Sequence, residues 1–198
     1  MEDSLNKVAW PVATERLTLR RLESEDLEAT WRYRQLPEVT RWITSAPGTL
    51  EEYRVYFHEE GRVERDVAVE VIEADGSKVL IGTVMLKVHD AWGQSEILDQ
   101  TRHVEAEIGW SFDPAYGGKG YATEAVRVVL ELSFGALGLR RVVAESFAAN
   151  APSWKLMERV GMRRESYNRR NGLHRSGEWM DGVVYAMLAD EWGELVTA

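Results

Sequence analysis

The chain of 198 residues contains no cysteine, which excludes disulfides, thiolate metal sites and a cysteine nucleophile together. It also lacks a long uninterrupted apolar run. The longest stretch, Val126 to Leu139, is broken by Glu131 and Gly135 and cannot span a bilayer. The opening residues Met1-Glu2-Asp3-Ser4 are acidic and lead into no apolar segment, so they do not read as a secretory signal. The four histidines, His58, His89, His103 and His174, show no metal-ligand spacing, and no two share a helical turn. They are expected on the surface, with no metal bound. A cytoplasmic protein without a membrane segment is the expectation.

Basic charge is scarce as well. The net charge is −9, and residues 1–100 hold 20 acids against 12 bases, while residues 101–198 hold 13 against 12. A protein that grips nucleic acid needs an excess of Lys and Arg for phosphate contacts, so no direct nucleic-acid partner is expected. An acidic surface suits a cationic substrate, or simply keeps the chain in solution. With 44% hydrophobic and 29% charged residues, the composition is that of an ordinary folded domain. The length fits one such domain.

What is present reads as alternating α and β segments. Arg16 to Leu22 alternates apolar and polar residues, as a strand does, and Ser24-Glu25-Asp26 then opens a helix that ends before Pro37. A second helix starts near Thr49, with Leu50, Tyr53 and Phe57 on its apolar face. Val67–Ile72 and Val79–Val88 are strands joined by the turn Ala74-Asp75-Gly76-Ser77. Val104 to Phe112 is another strand. A glycine-rich turn then leads into a helix from about Tyr121 to Ala136, closed by Gly138. Further on lie a strand over Leu139–Phe147, a short helix from Asn150 to Gly161, and strands near Met162–Asn168 and Glu178–Leu188. Asn171-Gly172 and Ser176-Gly177 are the turn signals between the last two. Trp31, Trp110 and Trp154 stand in apolar patterns and are expected in the core.

The turn Tyr116-Gly117-Gly118-Lys119-Gly120 is the strongest chemical signal. A strand, small residues and a helix N-terminus make an anion site, because free N–H groups and the helix dipole point at the ligand. The spacing excludes the common nucleotide loops. Lys119 precedes Gly120 and no Gly-x4-Gly-Lys-Ser/Thr occurs, while Thr123 occupies the third glycine position of a Gly-x-Gly-x-x-Gly reading.

Residues 104–125 read Val-Glu-Ala-Glu-Ile-Gly-Trp-Ser-Phe-Asp-Pro-Ala-Tyr-Gly-Gly-Lys-Gly-Tyr-Ala-Thr-Glu-Ala. This segment resembles motif A of the GNAT acetyltransferases, in the branch of the RimJ and RimL ribosomal-protein N-terminal acetyltransferases. Thr14 to Arg20 with Glu25-Asp26-Leu27 resembles the first strand and helix of that branch. Asn150 to Ser153 with Glu158 to Met162 resembles its Asn-x-x-Ser helix and exit, and Trp179 to Tyr185 with Glu191-Trp192 resembles its closing strand. The resemblance covers 14–193 as a single acetyltransferase domain and leaves 1–13 as an N-terminal extension. It implies an α/β (α+β) GNAT fold: a mixed, mostly antiparallel sheet flanked by helices, with two central strands splayed around acetyl-CoA. The backbone of Gly118, Lys119, Gly120, Tyr121 and Ala122 would then hold the pyrophosphate. The backbone of Trp110, Ser111 and Phe112 would pair with the pantetheine arm. The family motif often has Gln or Arg where this chain has Gly117, which implies weaker or rearranged phosphate binding.

The implied reaction is direct attack of an amine on the thioester, in keeping with a chain that has no cysteine. On the strand 104–112, Glu105, Glu107, Gly109 and Ser111 share one face, and Ala106, Ile108, Trp110 and Phe112 the other. Glu107 is the first candidate for general base and Glu105 the reserve; the alternative for each is an ordinary cross-strand pair. A backbone N–H near Trp110 or Ser111 could serve as oxyanion donor. By the resemblance, Ser153 would protonate the leaving sulfur and Asn150 would contact the pantetheine amides. The competing role for both is helix capping. Tyr185 and Tyr167 are lesser hydroxyl candidates, expected in the core, and His103 is a distant one. The run Arg163, Arg164, Arg169, Arg170 and Arg175 reads as a solvated hairpin face. The acceptor is an amine, either a polypeptide N-terminus or a small molecule, and a homodimer is open. The alternative from another class is a catalytically weak acyl-CoA sensor or scaffold.

Overall fold

The computed structural model describes residues 4–197. Eight strands form one sheet in the order β1-β2-β3-β4-β5-β6-β8-β7. They are β1 (Val12–Ala13), β2 (Leu17–Arg21), β3 (Asp66–Ile72), β4 (Lys78–His89), β5 (Glu105–Phe112), β6 (Arg141–Phe147), β7 (Arg163–Leu173) and β8 (Trp179–Leu188). The pairings β1–β2, β2–β3, β3–β4, β6–β8 and β7–β8 are antiparallel, and β5–β6 is parallel. The helices are α1 (Leu27–Arg34), α2 (Pro37–Thr40), α3 (Leu50–Phe57), α4 (Tyr121–Phe134), α5 (Ala151–Arg159) and α6 (Ala189–Thr197). Among the described residues, no helix is long and apolar enough to cross a membrane.

The chain divides into two compact units, one built from the residues up to Met85 with Trp110–Val126, the other from Leu86–Gly109 with Arg127 onward. In the first, β3 is buried from Asp66 to Val71, and its antiparallel neighbours β2 and β4 pair with its backbone along both edges. Before α1, the Glu23 and Asp26 side chains each accept from the other residue's N–H, so the two orphan donors are satisfied reciprocally. Thr49 Oγ1 accepts from Glu52 N at 3.2 Å and starts α3. Leu22, Leu27, Tyr33, Val39, Tyr53, Phe57, Ala68 and Leu80 form the core of this unit, with Trp31 stacked on Tyr53 at 5.2 Å. Pro37 separates α1 from α2, standing at the start of the second, where its missing N–H costs nothing.

In the second unit, the parallel pairing sets Glu105–Glu107 against Arg141–Val143. β8 lies between β6 and β7, which leaves β7 at the sheet edge. Val142, Ala144, Leu156, Met157, Val160, Met162, Tyr185 and Met187 are buried here.

Several expectations are corrected. Asn171-Gly172 is not a turn: it lies inside β7, where the register shifts between Asn168 and Gly172. Gly172 is required because a Cβ there would come within 2.7 Å of the Phe147 ring. The chain reverses instead at Gly177, whose φ is +86°. His174 is buried against that same ring, and its Nδ1 accepts from Ser176 N at 3.2 Å. Tyr167 is exposed. Trp110 and Trp154 are only half-buried, whereas Trp31, also half-buried, packs against the core of the first unit as expected. The tail after β8 forms α6, started by Glu191, which accepts from Leu188 N at 2.8 Å.

Candidate active site

The glycine turn belongs to the first unit. β5 ends where Asp113 N donates to Ile81 O at 2.8 Å, and the Asp113 carboxylate accepts from Ala115 N at 2.9 Å. That bond folds Pro114–Tyr116 into a single 3-10 turn. Gly118 and Gly120 then take φ of +73° and +83°, a conformation that side chains disfavour. Gly117 differs: its φ is −64°, so no strain demands a glycine there. The first α4 bond runs from Glu124 N to Gly120 O at 3.1 Å, so the Tyr121 and Ala122 N–H groups have no acceptor within the helix. Residues 117–120 are exposed, and a Cβ at Gly118 would meet open space. The turn therefore fits a phosphate group by its donors, its dipole and its room.

A clamp fixes this turn. Arg16 Nη1 donates to Lys119 O at 2.9 Å, and its Nε donates to Glu124 Oε2 at 2.7 Å. Thr14 Oγ1 donates to the other Glu124 oxygen at 2.5 Å. Burial pushes the Glu124 carboxyl up, but the bonds from Thr14 and Arg16 outweigh it and hold the group below its usual range. The Arg16 guanidinium also lies 4.9 Å from the Tyr121 ring centroid.

Behind Trp110–Phe112, the alternation of burial along β5 changes phase. Ala106 and Ile108 are buried, but so is Ser111, while Trp110 and Phe112 are half-buried. The Ser111 hydroxyl accepts from Arg34 Nη1 at 3.2 Å and lies 3.4 Å from Thr83 Oγ1. The Phe112 ring fills the space above Gly82. Asp66 is buried in the same unit, and among the described residues its carboxylate makes no hydrogen bond. Burial pushes its pKa up to about 6, against the attraction of Arg34, Arg65 and Arg62.

The acid–base candidates belong to the second unit. Glu105 is ion-paired with Arg140 and little exposed. Glu107 is half-buried, and among the described residues it has neither a hydrogen bond nor an ion pair. The two carboxylates thus differ in what already holds them. Asn150 precedes α5 but its side chain makes no capping bond; only its carbonyl takes part, accepting from Ser153 N at 3.1 Å. The half-buried Ser153 hydroxyl also makes no hydrogen bond among the described residues. Tyr185 is buried and donates to Glu158 Oε1 at 2.8 Å; burial, and then that bond to a carboxylate, raise its pKa. Tyr167 donates to Asp181 at 2.7 Å. His103 is exposed, with its N–H on the Asp90 carboxylate at 2.9 Å.

Residues 16–163 match the acetyltransferase (GNAT) domain family. The chain belongs to the GNAT acetyltransferases. It is 30% identical over 181 residues to the uncharacterized N-acetyltransferase YnaD of Bacillus subtilis, covering 91% of this chain and 98% of that protein. Among solved structures, a GNAT-family acetyltransferase from Bacillus anthracis is 31% identical, with a TM-score of 0.75 over 91% of this chain and 99% of the other. The Vibrio cholerae spermidine N-acetyltransferase in complex with CoA and spermine shares the fold, at 22% identity and a TM-score of 0.70 over 90% of this chain and 99% of that one. As a GNAT acetyltransferase this chain is an acyltransferase, and the mixed sheet flanked by helices is the fold of that family.

Sequence reasoning within this GNAT chain missed the Arg16–Glu124 clamp. Glu124 stands on the polar side of α4 and Arg16 opens a strand, so each looks like an ordinary surface charge. The only signal was the proximity of Glu124 to the turn. The Arg34–Ser111–Thr83 network was equally hidden, because its members come from three distant segments.

Proposed function

We propose that residues 14–193 act as one N-acetyltransferase domain that moves the acetyl group of acetyl-CoA to an amine, with 1–13 as an extension. The observation that carries the reading is the turn 117–120: two left-handed glycines, exposed, lead into α4 with N–H groups uncommitted within the helix. These donors suit the pyrophosphate of CoA. Gly117 leaves them without a side-chain cover.

In this reading Glu107 takes a proton from the acceptor ammonium. The free amine forms its bond to the thioester carbonyl carbon, a backbone N–H near Trp110 or Ser111 steadies the oxyanion, and the C–S bond breaks. Ser153 gives its proton to the departing sulfur and takes in its place the second proton that the nitrogen sheds as the amide forms, and Asn150 contacts the pantetheine amides. The uncommitted state of Glu107, Asn150 and Ser153 supports these assignments, and the Arg140 pair makes Glu105 the weaker base. A net charge of −9 favours an acceptor that arrives as a cation, whether a polypeptide N-terminus or a small amine.

The test is release of free CoA thiol from acetyl-CoA across a panel of small amines and peptides with varied N-termini, alongside melting curves. CoA should raise the melting temperature, because it binds only the folded state, and NAD should not. Stabilisation by NAD with none by CoA would overturn the assignment of the turn; CoA binding with no thiol release on any amine would overturn the transferase reading.

A further inference from the structure

The last residues of β5 are fastened within the first unit by side chains as well as by the sheet. Asp113 N donates to Ile81 O at 2.8 Å on the β4 side. The ladder of β5 with β6 ends at the pair Glu107 and Val143, so among the described residues Trp110–Phe112 has no partner strand on that edge. A segment paired along one edge shifts more easily than one held along both.

Ser111 is the point at which this segment is held. It is 7% exposed while Trp110 and Phe112 are half-buried, so its hydroxyl turns into the unit where the alternation of β5 breaks. There it accepts from Arg34 Nη1 at 3.2 Å and lies 3.4 Å from Thr83 Oγ1, with the Tyr33 hydroxyl 3.5 Å beyond. Tyr33 and Arg34 are consecutive in α1, so one helix end reaches both hydroxyls.

Arg34 differs from the other half-buried arginine of this unit, Arg20, which is paired with both Asp26 and Glu70. Among the described residues Arg34 makes no ion pair: the buried Asp66 carboxylate attracts it without bonding it. Its one hydrogen bond goes to the uncharged Ser111 oxygen, and its guanidinium lies 5.8 Å from the Tyr56 ring centroid. Burying a guanidinium costs desolvation, and a single bond to a hydroxyl offsets little of it. The arrangement suits holding a strand in place better than adding stability, because a planar fork can rest on a ring and bond the strand at once.

We propose that Arg34 is a positioning residue for acetyl transfer: acting through the Ser111 hydroxyl, it holds the backbone of Trp110–Phe112 where that backbone meets the pantetheine arm and polarises the thioester carbonyl. The inference rests on the roles given to those backbone groups in the proposed reaction. An oxyanion donor acts only if it stands in place before the charge develops, and a shift of about 1 Å can cost roughly 100-fold in rate.

Arg34→Met and Ser111→Ala each remove the bond, the second by deleting one oxygen. Each should lower kcat about tenfold, while CoA affinity measured by calorimetry stays within about threefold of wild type, because the turn at 118–122 is untouched. The double variant should match the slower single variant within about twofold, since both changes cut the same link. Arg34→Lys keeps the charge and a donor and should recover part of the rate. Hydrogen exchange, which needs no acceptor, should quicken at the amides of 110–112 in both single variants and stay unchanged in β3. Melting curves establish that the variants fold. Multiplying losses in the double variant, unchanged exchange at 110–112, a normal kcat, a loss confined to CoA affinity, or no recovery with Lys would each overturn the inference while wild-type activity stands. A wild-type chain that releases thiol with no amine would instead overturn the transferase reading, and the inference with it.

Discussion

Arg16 and Glu124, 108 residues apart, meet in a two-pronged ion pair whose third guanidinium nitrogen donates to the Lys119 carbonyl. The β1–β2 connection is thereby fastened to the turn that precedes α4. Arg16→Met should therefore weaken CoA binding roughly tenfold, by freeing the turn before it can present its N–H groups together. Because the Arg16 side chain is 42% exposed, overall stability should fall by less than about 1 kcal/mol. Calorimetric titration with CoA, paired with a denaturant melt, separates the two effects. Unchanged CoA affinity would show that the turn holds its shape without the clamp.

The glycines of the turn should respond unequally. Gly120→Val places a branched side chain at φ +83°, with Arg16 Nη2 3.5 Å from the new Cβ, and should lose more than about tenfold in CoA affinity. Gly117→Ala sits at φ −64°, its Cβ 3.0 Å from Pro114 O, and needs only a small shift. Its CoA affinity should stay within about twofold of wild type. Equal affinities for the two variants would contradict the assignment of the phosphate to the backbone of 118–122.

Ser153→Ala should lower kcat by about tenfold or more with little change in the KM for acetyl-CoA, because a proton to the leaving sulfur matters in the transition state. The fold should be retained, since the hydroxyl makes no bond that the helix start depends on. Steady-state kinetics with a working acceptor decides it, and an unchanged kcat would remove Ser153 from the chemistry.

Glu107→Gln should depress kcat/KM while CoA binding stays intact, and the defect should shrink as pH rises and more acceptor arrives neutral. Glu105→Gln should cost less, since its carboxylate is already engaged by Arg140. A pH–rate profile of both variants reads this directly. A larger defect at Glu105 would move the base two residues along β5, and a loss at Glu107 confined to the acceptor KM would make it a binding group.

The buried Asp66 carboxyl sets a pH dependence of stability. Its pKa is about 6 in the folded chain against 3.8 for a free group, so the unfolded state ionises first as pH rises. The folded state should then lose up to ~3 kcal/mol between about pH 4 and pH 6, with no further loss above. Asp66→Asn should abolish that segment of the curve, making the variant's advantage over wild type grow across this window. Urea melts at closely spaced pH values measure the difference, and parallel curves would place the ionisation elsewhere.

The alternating and periodic segments made most strands and the longer helices legible, because burial of one face imposes a period on the residues themselves. The glycine turn was legible for a related reason: positive φ at Gly118 and Gly120 is a local demand that only certain residues meet. Asn171-Gly172 misled by the same logic, since a glycine admitted for its lack of a side chain against Phe147 looks identical to one needed for a turn. The burial of His174 was likewise decided by Phe147, far back along the chain. Local sequence thus determined the family motif, the turn and the candidate chemistry. Which carboxylate is already paired, which hydroxyl is uncommitted and which arginine clamps the turn were decided only by tertiary structure. Ion pairs and hydrogen bonds depend on distances that no residue spacing encodes.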